Sequence, residues 1–178
     1  MTDKKIMFGL LLGALCLAAC GSEKTDSLTL SGTGRLAAHV KGWTEQTDKF
    51  RFFTARQLYD IIDGGAAEYE KSGLVDGVVV SLSAKPERSA EIYVENFKSP
   101  ARASAMVLAK RKNASDPKPV SEVQNKLAFY DEVIGGCVVY SAKGAFYFEM
   151  TLTGYENGNA AARDAKRFID AFEKDLRK

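Results

Sequence analysis

Histidine occurs once in this 178-residue sequence, at position 39. One imidazole near the start of the folded part is a poor general base, so Ser-His-Asp chemistry lacks its parts. The patterns CxxC, HExxH and GxxxxGKS are all missing, which removes the usual arguments for zinc and for nucleotide phosphate. Charge of one sign is lacking as well. Lys and Arg number 25 against 23 Asp and Glu, a net of +2 and no footprint for nucleic acid. The longest apolar run, residues 6–19, is too short to cross a bilayer as a stable helix. What remains is 46% hydrophobic and 27% charged, the make-up of a globular chain, and its length suits one domain.

The apolar run follows Lys4 and Lys5 and ends in Leu17-Ala18-Ala19-Cys20, with Gly21 and Ser22 beyond. A basic start, an apolar middle and small residues before a cut predict a signal peptide over residues 1–19. With cysteine first in the mature chain, the junction resembles a bacterial lipobox; the other reading is an ordinary secretory signal with an incidental cysteine. The resemblance implies that Cys20 carries acyl chains such as palmitate and anchors the protein to a membrane. Gly21, where an aspartate would retain the protein at the inner membrane, implies the outer membrane, facing the periplasm. Cys16 then leaves with the leader and Cys20 is consumed by lipid. Cys137 remains alone, so no intramolecular disulfide is expected. It sits in the apolar run CVVY and reads as a small core residue.

Residues 54–73, TARQLYDIIDGGAAEYEKSG, are the least generic stretch. Leu58, Ile61, Ile62, Gly65, Ala66 and Tyr69 fall at helical spacing. Thr54 followed by Gln57 has the capping-box pattern, and Gly73 is a natural stop. Two interior glycines, Gly64 and Gly65, cost such a helix about 2 kcal/mol against alanine. Either the helix breaks there, or Gly65 is buried where backbones approach closely. On the second expectation, Gly65→Leu costs more than about 3 kcal/mol.

The string LYDIIDGGAAEY, preceded by VKGW at 40–43 and by Phe50, resembles a family of bacterial lipoproteins and secreted proteins marked by W…Y…LYxYINGGAELY. The likeness is strongest over residues 43–73. Ile61 stands where that family usually has an aromatic, and Ala67 where it often has a carboxylate. The resemblance implies an envelope protein and no particular reaction.

Residues 20–34 hold the lipidated cysteine and a small, polar tether, in which Leu28 and Leu30 are the apolar exceptions. The folded domain is expected over 35–178, with Trp43 as a lid on the core. Phe50, Phe52 and Phe53 indicate a short strand. Residues 74–84 alternate, with Val78, Val80 and Leu82 on one face and Val79, Ser81 and Ser83 on the other. Residues 90–97 return with Ile92 and Val94 opposite Tyr93, Glu95 and Phe97, giving a hairpin. Ser99 caps a helix begun by Pro100, and Lys110-Arg111-Lys112 closes it as a solvated end. Strands follow near 127–130, 136–142 and 145–153, the last two joined at Lys143-Gly144. A final helix over 160–176 carries Ala161, Ala165, Phe168, Ile169, Phe172 and Leu176 as one stripe. Hairpins alternating with helices predict a single α+β domain, a mostly antiparallel sheet with helices packed on it.

For function, the sequence points first to a non-enzymatic binding or envelope-accessory module. Its candidate residues are Asp60, Asp63, Gly64, Gly65, Glu68 and Tyr69, and its expected partner is an envelope protein or a small ligand. No cofactor, metal or nucleic acid is expected. The alternative is a hydrolase or metal-dependent enzyme using Asp60, Asp63 and Glu68. Acids on an amphipathic helix also read plainly as a solvated face, with Asp63 as a cap.

Overall fold

The computed structural model describes residues 40–46, 49–62, 64–85, 87–120 and 127–176. The expected leader and tether, with Cys20, His39 and Asp63, lie outside the described residues.

Strand β1 (Thr44–Glu45) and β2 (Arg51–Thr54) precede a 3-10 turn (Gln57–Asp60) and helix α1 (Ala66–Ser72). Then come β3 (Leu74–Ala84), β4 (Arg88–Phe97), α2 (Pro100–Asn113), β5 (Lys118–Pro119), β6 (Phe129–Val133), β7 (Gly136–Lys143), β8 (Phe146–Thr153) and α3 (Gly158–Leu176). Every pairing is antiparallel, in the order β1-β3-β4-β8-β7-β6-β5, with β2 beside β1 on the same edge of β3. The architecture is α+β and one domain, as the alternation of hairpins and helices predicts.

The helices divide between the two faces of the sheet. Val78, Val80 and Leu82 of β3, Ile92 and Val94 of β4, and Phe148, Met150 and Leu152 of β8 point to α3. There they meet Ala161, Ala165, Phe168, Ile169 and Phe172, the predicted stripe. Trp43 closes this side as the expected lid, edge-on to Phe168 at 5.0 Å. Asp164, buried, ties α3 down. Its carboxylate accepts from Arg88 of β4 at 3.1 Å, from Tyr155 at 2.8 Å and from Arg167 of its own helix. Arg167 also donates to the Lys41 carbonyl at 2.6 Å, and the Arg88 guanidinium lies over Trp43 and Tyr155.

The other face belongs to α1 and α2. Leu58, Ala66, Tyr69, Ala103, Met106 and Val107 pack onto Phe53, Phe97, Phe129 and Tyr147. Gly77 of β3 sits opposite Phe53 in register, and a Cβ there would run into the Phe53 ring. The glycine makes room for an aromatic to lie flat across the sheet. Ser99 caps α2 by accepting from the Arg102 amide at 3.4 Å, with Pro100 at the first turn.

Of the two readings of the motif, the structure takes the break: the 3-10 turn ends at Asp60, and α1 starts only at Ala66. Two expectations need correction. Gly65 is not at a close contact, because a Cβ there would meet only the Ile62 Cδ1 atom at 3.5 Å, an ordinary distance. The β7–β8 turn is Gly144-Ala145, one residue later than predicted, since Lys143 pairs with Phe146. The capping box does form: the Thr54 amide donates to Gln57 at 3.0 Å, and the Gln57 amide donates back to Thr54 at 3.4 Å.

Candidate functional site

The motif stretch presents two different surfaces. Leu58, Ala66 and Tyr69 turn inward and are buried. Tyr59, half exposed, turns outward and donates to Glu70 of α1 at 2.8 Å, bridging the 3-10 turn to the helix. Around this bridge, Arg56, Gln57, Tyr59, Asp60 and Glu70 line an open recess of about 570 Å³. Of the residues singled out from sequence, Asp60 belongs to that recess, and Gly64 and Gly65 form the break before α1. Glu68 is exposed on α1, two turns from Asp60 in sequence and on a different element. Among the described residues no group of three or more His, Cys, Asp and Glu side chains is placed to hold a metal ion.

Tyr69 leads somewhere the sequence did not. Its hydroxyl reaches across to β8 and donates to Glu149 Oε2 at 3.0 Å. The Tyr147 hydroxyl donates to the same oxygen at 2.8 Å, and Lys110 Nζ of α2 pairs with it at 3.3 Å. The Lys110 ammonium also stands 5.0 Å from the centre of the Tyr69 ring. The run Lys110-Arg111-Lys112, expected as a solvated end, therefore gives up its first cation to the sheet.

Beside this cluster lies Glu95 of β4, 2% exposed, with Oε2 buried and without a hydrogen-bond partner. Register explains the neighbours: Glu95 pairs with Tyr147, and Tyr93 with Glu149, so the two glutamates are diagonal on adjacent strands. Burial first, and repulsion by Glu149 second, hold the Glu95 carboxyl well above the usual carboxylate range, against the pull of Lys110. Burial likewise pushes the Tyr69 and Tyr147 phenols up, with Glu149 adding to it. Both stay neutral donors. Burial pushes the Cys137 thiol up to about 12, with Glu132 adding to it, which makes it a core residue and a poor nucleophile.

The signal for this cluster was present but faint. Glu95 stands between Tyr93 and Phe97 on its strand face, and Glu149 shares a face with Tyr147. A carboxylate alternating with aromatics is a carboxylate on a buried face. Its partner is decided by the β4–β8 pairing, which no local pattern encodes.

No family model and no curated protein matches the chain. Among solved structures, the extracellular domain of PknH from Mycobacterium tuberculosis is similar at 15% identity and a TM-score of 0.44. The likeness covers 70% of this chain and 78% of that one, and at this level it bears on neither fold nor function. Among the described residues no helix is long and apolar enough to cross a membrane, which leaves strand-based spanning untouched.

Proposed function

We propose that the protein is a lipid-anchored envelope protein that acts by binding, its domain held on the periplasmic side of the outer membrane by acyl chains on Cys20. The observation that carries the binding part is the division of labour in the motif. Its inward half is locked to the sheet through Tyr69 and Glu149, while its outward half offers an open, polar recess with one aromatic wall. A rigid base under a few convergent polar groups is what recognition needs. Of the carboxylates that the fold brings together, Glu95 is buried, and Glu149, about a quarter exposed, is engaged by two phenols and Lys110. The anchoring part is supported by the Leu17-Ala18-Ala19-Cys20 junction and the polar tether after it.

The partner is an envelope protein or a small ligand at the Tyr59 recess. The double variant Tyr59→Ala, Glu70→Ala removes its aromatic wall and one acid while leaving the core side chains alone. Cross-linking and recovery from solubilised envelope should then lose the species that wild type captures, at an unchanged melting temperature. Equal recovery by variant and wild type overturns the recess as the binding site. Calorimetry with divalent cations separates the alternative enzyme reading, in which Asp60, Asp63 and Glu68 would bind metal.

A further inference from the structure

Helix α1 has seven residues, Ala66–Ser72, far fewer than a helix needs to persist by itself in water. It stays formed because it is docked. Arg102 of α2 donates to the Ser72 carbonyl at its end at 3.1 Å, and Tyr59 holds Glu70 on its outer side. Ala66 and Tyr69 dock it against the core, and the Tyr69 hydroxyl on Glu149 ties it to the sheet. Glu95, buried with an unpartnered oxygen, shares the same small space.

We propose that Glu95 and Glu149 form a proton-binding site that latches α1 to the sheet, closed while Glu95 holds its proton and loosened when it ionises. The charged and titratable groups around Glu95 can be named from each element. They are Glu149 and Tyr147 on β8, Tyr93 on its own strand, Lys110 on α2 and Tyr69 on α1. Toward β3 and β2, the register places Gly77 and Phe53 in line with Glu95, neither of them titratable. Arg51 of β2 stands in line with Tyr93, and Glu68 of α1 acts on Tyr69. Lys110 is thus the cation between two glutamates. With Glu95 neutral, Lys110 and both phenols serve Glu149. With Glu95 ionised, its buried charge and the quarter-exposed Glu149 compete for one ammonium, and the least costly relief for Glu95 is to admit water by lifting the shortest element packed over it. That element is α1, which also carries Glu70, a wall of the outer recess. The latch stands on its own geometry whether or not that recess binds anything.

The direction follows from proton linkage. The closed form keeps a proton that an exposed carboxyl would have lost. The closed state is therefore favoured fully below the ordinary carboxylate pKa, and loses ground as pH rises toward the raised one. One proton released on opening makes the opening constant of α1 grow about tenfold per pH unit across that window.

Amide hydrogen exchange on the full chain in detergent micelles reads this directly, from about pH 5 to about pH 9, the range in which buried glutamates are known to titrate. After division by the intrinsic exchange rate, α1 amides in wild type should open progressively more with pH, while those of α2 and α3 stay constant. In Glu95→Gln, which keeps the shape and removes the titration, α1 should stay closed throughout. Parallel curves for wild type and variant overturn the proposal, and so does opening of all three helices in step. If the variant fails to fold, the side-chain carbon resonance of Glu95 in wild type decides. Titration in the ordinary carboxylate range overturns the latch, and a proton retained above it supports it.

Discussion

At Gly64 the backbone holds φ at +73°, a left-handed conformation that costs a residue with a side chain about 1 kcal/mol or more. Gly65, next to it, has φ −92° and ψ −18°, ordinary right-handed values, and a Cβ there would make only an ordinary contact with Ile62 Cδ1 at 3.5 Å. The pair is therefore asymmetric. Gly64→Ala should lose about 1 kcal/mol in denaturant unfolding, and Gly65→Ala should stay within about 0.5 kcal/mol of wild type. Equal losses would mean that Gly65 is also constrained. The sequence located the helix break through these glycines but could not say which was strained, because two neighbouring glycines send the same signal. Lys110 was misplaced for a similar reason: a basic residue in a last turn looks solvated unless the opposing strand is known to carry an acid.

Elements with their own periodicity were readable. The α3 stripe, the alternation in β3 and β4 and the Ser99-Pro100 start of α2 are all local patterns, and each element forms where its pattern lies. The two-residue strands β1 and β5 left no mark, since they exist only through partners on β3 and β6. Nor did the sequence reveal that α3 and α2 cover opposite faces. Asp164 is the tie that fixes α3 to its face, gathering Arg88, Arg167 and Tyr155 on one buried carboxylate. Asp164→Ala should cost about 2 kcal/mol, below the figure for a fully buried ion pair because both guanidinium groups reach solvent. Chemical denaturation in low and in high salt measures it; a loss near zero would reduce the network to decoration.

For the whole molecule, the proposed anchor would decide where the domain works. Two or three acyl chains hold a protein at a membrane where a single chain is marginal. Cys20→Ser should leave unprocessed precursor or release soluble protein on fractionation. A processed variant still in the membrane fraction would count against lipidation.

The sheet order carries one more consequence. Strand β8, last to be made, lies at the centre, between β4 and β7, and its Tyr147, Phe148, Met150 and Leu152 are wholly buried. A chain that has reached only Lys143 has two hairpins with nothing to join them, and α3, which would cover β8, does not yet exist. Such a topology rewards contacts between distant parts of the chain and delays folding until they meet. Emerging amino terminus first, the polypeptide cannot close this core before β8 and α3 appear. Until then it stays open to threading, the condition that any narrow channel imposes on what must pass through it unfolded.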